Sequence, residues 1–184
     1  MTHTTPQQSD RMSRYLPLIL AAAVILTDQI TKAMIVASVE RVELSGHSIE
    51  VFGDFLRIIH TRNLGVAFSI GRGLPDQLRR VVFTIAPAIV LAGLLAYYIR
   101  VDEFTRLQRW AIAGIIGGGT GNLIDRIFRA DGVVDFVDVK FYGIFGLSRW
   151  PTFNVADATV VVCGILLIVG LLFQVREADN EQED

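Results

Sequence analysis

Four stretches of this chain, at about residues 15–37, 81–99, 107–127 and 152–175, are apolar over roughly the 20 residues that a helix needs to cross a bilayer core of about 30 Å. No other feature restricts the fold so strongly. Of its 184 residues, 52% are hydrophobic and only 20% are charged, too apolar for an ordinary soluble domain of this size. The predicted class is therefore an all-α membrane protein with four transmembrane helices, organised as one domain over residues 1–184. Arg11 and Arg14 precede the first run, as in a cleavable signal peptide. The apolar stretch outlasts an h-region, however, and no small-x-small site follows before Asp28, so the reading is an uncleaved span.

The connections between runs differ in kind. Only a short polar turn with Arg100, Asp102 and Glu103 separates the second and third runs, which makes them antiparallel neighbours. Residues 38–80 form a much longer link. Within it, residues 49–61 are rich in β-branched and aromatic side chains around a Gly53-Asp54 break, predicting short strands in a platform over about residues 38–62. A short interfacial helix is expected near residues 74–78. In the link from Phe128 to Pro151, the residues Phe136, Phe141, Tyr142, Phe145 and Trp150 suit a segment lying on the membrane surface. Both long links leave the bundle on one side and both termini on the other. Residues 177–184 hold five of the 19 acids and no base, and a disordered tail is expected there. Without that tail the body has 17 basic against 14 acidic residues, mildly basic and compatible with anionic lipid. No nucleic-acid footprint is present. The count of Lys and Arg on the two sides does not settle the orientation.

Charged groups inside a span cost roughly 2.5–3.5 kcal/mol each at the helix centre, so each needs a reason. Here they share one depth. Asp28 and Lys32 lie near the end of the first run, Asn122, Asp125 and Arg126 at the end of the third, and Asp157 at the start of the fourth. Asn63, Asp135 and Asp138 sit in the links on that same side. Asn122 with Asp125 and Arg126, and Asn154 with Asp157, have spacings that share a helix face. Asp28 and Lys32 at i, i+4 suit a neutralising pair, and Asp125 beside Arg126 suits either an ion pair or a substrate contact. Asp131 and Asp138 are expected to be solvated loop acids. Two acids stay unexplained: Asp135, flanked by Val133, Val134, Phe136 and Val137, and Asp157, followed by 18 uncharged residues. Two carboxyls held together at low dielectric share a proton, leaving one as general base and the other as general acid.

Other chemistries fit less well. The GGGTGN run at residues 117–122 lacks the Lys-Ser/Thr ending of a phosphate loop and reads as small residues for close helix packing. His3, His47 and His60 are scattered, so neither a metal site nor a histidine triad is expected. Lys32 and Lys140 have no recognisable spacing to a serine. Cys163 reads as a packing residue.

Taken in order, five short motifs resemble the signal peptidase II family across nearly the whole chain: Asp28-Gln29-Ile30-Thr31-Lys32, Asn63-Leu64-Gly65-Val66-Ala67-Phe68, Gly121-Asn122-Leu123-Ile124-Asp125-Arg126, Val134-Asp135-Phe136 and Phe153-Asn154-Val155-Ala156-Asp157. Val66 stands where the family usually has alanine. The resemblance implies an aspartic endopeptidase with Asp135 and Asp157 as the catalytic pair. It implies that Asn63, Asn122, Arg126 and Asn154 bind substrate or support the dyad, and that Asp28, Lys32, Gly65, Phe68 and Asp125 are structural. It also implies a bacterial inner membrane location, with both termini cytoplasmic and the β platform, interfacial segment and active site on the periplasmic side. The implied substrate is a diacylglyceryl-modified prolipoprotein, cut on the amino side of its lipidated cysteine by a monomer without cofactor or metal. A small proton-coupled transporter is the competing reading, because intramembrane acids also mark ion pathways. A non-catalytic membrane scaffold is a third.

Overall fold

The computed structural model describes residues 14–65 and 75–183, with side chains through residue 174 except that of Asp76. Helix α1 (Leu18–Ser38) starts directly after Pro17, which is sterically suited to the edge of a helix. Its buried residues Ala21, Val24, Asp28 and Lys32 follow one helical stripe, whereas Ile19, Leu26 and Met34 are more than 60% exposed. The polar pair thus faces the bundle and the large aliphatics face outward, the arrangement expected where lipid is the solvent. A short helix α2 (Val42–Ser45) follows, then strands β1 (Ile49–Phe52) and β2 (Leu56–Asn63). Helix α3 (Asp76–Arg100) is continuous through Pro87. Residues 76–78 are its first turn, so the separate interfacial helix expected near residues 74–78 is not formed there; residue 74 lies outside the described residues.

Helix α4 (Arg106–Phe128) starts with a reciprocal capping box between Thr105 and Gln108. It packs against α1, α3 and α5 (Val155–Glu183). Its glycines make that possible. A Cβ added at Gly117 would lie 2.8 Å from the Ala21 backbone, at Gly118 2.5 Å from the Ala156 carbonyl, and at Gly121 2.6 Å from Asp28 Oδ2. Side chains there would push α1 and α5 away, so backbone proximity replaces interdigitation. This same composition lowers the hydropathy of α4. Among the described residues three helices are long and apolar enough to cross a membrane: Leu18–Ser38, Gln77–Arg100 and Val155–Gln174.

The platform has three strands, in the antiparallel order β1-β2-β3. Strand β3 (Val133–Val139) belongs to the link expected to lie on the membrane surface and corrects that reading for Phe136, which is buried, whereas Tyr142, Phe145 and Trp150 further along the link are exposed. Its run of Val and Phe is the composition of a strand buried on both faces, and the first four residues are buried. Pairing with β2 sets Thr61 opposite Asp135 and Asn63 opposite Val133. Gly132 leads into the strand with φ +98°, and a Cβ there would stand 2.6 Å from the Asn63 carbonyl. Only glycine allows both that backbone angle and that approach. Beyond β3, Phe153 pairs with Val137 in an antiparallel bridge, and α5 begins two residues later, not at Thr152 as expected. The acidic tail expected to be disordered continues α5 to Glu183; its Glu, Ala and Gln favour helix and it contains no Gly or Pro.

Candidate active site

Asn154 joins all the parts of the site. It precedes α5, and its side-chain oxygen accepts from the Asp157 amide at 2.9 Å while Asp157 Oδ2 accepts from the Asn154 amide at 3.2 Å. This is a capping box built with Asn and Asp, satisfying two amides that a helix start leaves without partners. The remaining side-chain nitrogen of Asn154 lies within donating distance of Asp135 Oδ1 at 2.7 Å, Asn122 Oδ1 at 3.0 Å and the Val134 carbonyl at 3.2 Å. Asn122 completes the link by donating to Asp157 Oδ1 at 2.7 Å. One connected network therefore holds Asp135 on β3 and Asp157 in the first turn of α5.

Asp135 is 2% exposed and also accepts from Asn63 Nδ2 at 3.0 Å. Its carboxyl is pushed up to about 7, first by burial and next by the charge of Asp157; the amide donors of Asn63 and Asn154 offset only part of this. A carboxyl so placed holds a proton at pH values where an exposed aspartate has long lost it.

Lys32 supports this network from beneath. Its ammonium reaches Asp28 at 2.8 Å, Asp125 at 3.2 Å and Asn122 Oδ1 at 2.8 Å, and all three charged side chains are fully buried. The ammonium fixes the amide orientation of Asn122: oxygen toward Lys32, nitrogen toward Asp157. The two buried acids also tie the elements together. Asp28 Oδ1 accepts from the Ala156 amide at 3.0 Å, and Asp125 Oδ2 accepts from the Val134 amide at 3.1 Å. Asp28 and Lys32 thus form the expected neutralising pair, with Asp125 as its third member. Asp125 does not pair with its neighbour Arg126. It meets Arg129 at 3.0 Å, one helical turn on, because adjacent residues diverge around the helix.

Sequence reasoning did not single out Gln29, whose side-chain nitrogen lies 3.2 Å from Asp28, 3.2 Å from Asp125 and 3.0 Å from the Gly121 carbonyl. Its place beside Asp28 in a membrane span was the available signal. Of the two expected solvated loop acids, Asp131 lies in a turn with its side chain 41% exposed, whereas Asp138 is buried on β3 and corrects that expectation. Asp131 pairs with Arg41 and Arg62, and Asp138, 3% exposed, pairs with Arg57 at 2.7 Å and Arg149 at 2.6 Å. Gly65 donates its amide to Asn63 Oδ1 at 3.1 Å, which directs the Asn63 nitrogen toward Asp135. Phe68 and Val66 lie outside the described residues. Arg126 lines an open groove between the end of β2, the start of α3 and the end of α4, within electrostatic reach of Asp157, Asp135 and Asp125. Among the described residues it makes no hydrogen bond or ion pair.

The pattern describing Signal peptidase (SPase) II matches residues 20–173. The chain belongs to the signal peptidase II family. Relatives named lipoprotein signal peptidase include one from Treponema pallidum (strain Nichols), 48% identical over 91% of this chain and 89% of the relative. Another, from Treponema denticola, is 46% identical over 90% of this chain and 94% of its own length. A solved structure described as a bacterial membrane enzyme, obtained by the in meso method at 2.3 Å, superposes with a TM-score of 0.74 at 31% identity, covering 92% of this chain and 93% of that one. A second, at 1.9 Å, gives 0.70 at 33% identity over 85% and 92% of the two chains. All five signal peptidase II motifs lie within the matched residues. Those among the described residues converge at one end of the bundle.

Proposed function

We propose that this protein is an intramembrane aspartic endopeptidase that removes the signal peptide from diacylglyceryl-modified prolipoproteins, cleaving on the amino side of the lipidated cysteine. The observation that carries the reading is the Asp135–Asn154–Asn122–Asp157 network, in which a nearly inaccessible carboxyl is held near neutrality by burial and by its partner's charge. In the working state one proton is shared by the pair. The ionised carboxylate takes a proton from water as the water oxygen bonds to the scissile carbonyl carbon. The protonated member hydrogen-bonds the carbonyl oxygen as it gains negative charge. Collapse of the tetrahedral intermediate breaks the C–N bond, and the proton taken from water passes to the leaving amine, regenerating the singly protonated pair. Asn63 and Asn154 hold Asp135 in place, Asn122 holds Asp157, and the unpaired guanidinium of Arg126 is available to a substrate carbonyl.

The same reading takes α4 as the fourth span, its polar residues facing protein and not lipid. It sets the sheet and the dyad at the periplasmic face of a bacterial inner membrane, with both termini cytoplasmic, in a monomer that needs neither metal nor cofactor. A substrate anchored by its acyl chains then arrives sideways at the depth of the dyad, with its chains still in lipid. The test is cleavage of a diacylglyceryl-modified prolipoprotein by purified protein in detergent. Asp135→Asn and Asp157→Asn should each lower turnover about a hundredfold to ten-thousandfold, the range for loss of a general acid or base. Asp131→Asn should cleave at nearly the normal rate. Wild-type turnover in either dyad variant would remove the mechanism.

A further inference from the structure

Asn154 can hold Asp135 only if the chain leading to it arrives in one register. After β3 the chain turns over residues 141–148 and comes back along the strand, and this return segment, residues 149–153, delivers Asn154. Its backbone is fastened to β3 at two places. Trp150 donates to the Val139 carbonyl at 2.9 Å, and Phe153 and Val137 exchange bonds at 3.1 and 2.8 Å. Pro151, between them, has no N–H with which to add a rung. A slip of one residue would shift such a segment by about 3.3 Å and turn its side chains to the other face. Asn154 Nδ2 stands 2.7 Å from Asp135 Oδ1, so a slip of that size would part them.

Arg149 supplies the anchor that the backbone lacks. It opens the return segment, opposite Lys140 in an antiparallel bridge. Its Nε donates to Asp138 Oδ1 at 2.6 Å, and its two terminal nitrogens reach Asp54 Oδ1 at 2.9 Å and the Asp54 carbonyl at 3.0 Å. Asp138 is buried on β3 itself, three positions after Asp135, and Asp54 lies in the turn between β1 and β2. A planar guanidinium fixes direction as well as distance, so these bonds pin the far end of the return segment to both neighbours. Arg57 takes the other oxygen of Asp138, at 2.7 Å, but it comes from β2, which already pairs with β3 along its length. We infer that Arg149 is a positioning residue of the dyad: its hold on Asp138 and Asp54 sets the register of the return segment and thereby places Asn154 between Asp135 and Asp157. This role in turnover rests on the reading of Asp135 and Asp157 as the catalytic pair.

The experiment compares Arg149→Gln with Arg57→Gln in the full-length protein in detergent, because each removes one guanidinium from the same carboxylate. Arg149→Gln should lower kcat about tenfold to a hundredfold with KM little changed, the scale for a small misplacement of catalytic groups. Arg57→Gln should leave kcat nearly unchanged. The Asn154 donor offsets part of what burial and Asp157 do to Asp135. Its loss in Arg149→Gln should therefore move the decline of kcat/KM near pH 7 to higher pH, with Asp157, Lys32 and Arg126 still facing the carboxyl from α5, α1 and α4. Wild-type kcat in Arg149→Gln would overturn the assignment. Equal loss in both variants would do the same, since Arg149 would then only neutralise Asp138. Selective 15N labelling of asparagine gives a readout independent of turnover: the Asn154 side-chain amide signals should shift and exchange faster in Arg149→Gln but not in Arg57→Gln. If Asp135→Asn cleaves normally, the dyad reading fails, and unchanged Asn154 signals in Arg149→Gln would separately sink the positioning role. Should Arg149→Gln fail to fold, Arg149→Lys takes its place, keeping a charge at Asp138 without the fork that spans Asp138 and Asp54, with a smaller loss in the same direction.

Discussion

Asp135 and Lys32 are both buried and ionisable, yet they serve the site in different ways. Asp135 keeps its proton up to about pH 7, whereas an aspartate in an unfolded chain loses it near pH 4. Its folded value is raised, so its contribution to stability is fully present below about pH 4 and is lost as pH rises through about 7. Thermal melts across that window should fall with pH in the wild type and fall less in Asp135→Asn. Under the proposed mechanism kcat/KM should also decline as pH rises through about 7 and the last shared proton leaves. A rate that stays level to pH 9 would separate Asp135 from the rate-determining chemistry. Lys32 instead neutralises two buried carboxylates. Lys32→Met should cost roughly 3–5 kcal/mol, read as a lowered melting temperature, because it leaves Asp28 buried without a cation and Asp125 with Arg129 alone.

At the level of the helices, α4 depends on having no side chains at three successive contacts. Gly118→Ala should destabilise by about 1–3 kcal/mol, since the new methyl meets the Ala156 carbonyl, which cannot move without moving the start of α5. Gly164→Ala, with nothing within 4 Å, should be neutral or stabilising by up to about 1 kcal/mol. Detergent melts of the two variants provide the comparison. Helices of this kind were legible as apolar runs, and the acids and asparagines of the site were legible because each violates the run that contains it. Strand β3 was not. Its apolar stretch of seven residues has the length of a strand but no alternation, because Asp135 and Asp138 are both buried by partners distant in sequence.

Across the whole molecule, the sequence announced which polar residues would gather but not how they divide the work. Apart from Lys32 and Arg126, its cations were read only as a charge bias between two sides. In space Lys32 serves buried acids, Arg57 and Arg149 bind Asp138, and Arg126 is left facing a groove. Only the i, i+4 spacing of Asp28 and Lys32 encodes part of that distribution; Asp125 and the partners of Arg57 and Arg149 lie on other elements. A test at this scale is exchange of amide hydrogens. The Val134 and Ala156 amides, which donate to Asp125 and Asp28, should be protected as strongly as the bundle core and should lose protection together in Lys32→Met.

The capping exchange between Asn154 and Asp157 carries a biological consequence. The group that starts the last helix also grips the carboxyl of a strand that arrives only when the extramembrane sheet has closed. Under the proposed mechanism, a newly inserted chain, its segments threaded but not yet gathered, has no assembled dyad with which to attack its neighbours. Destructive capability and completed folding would arrive in a single event, sparing the cell any need for a removable inhibitor.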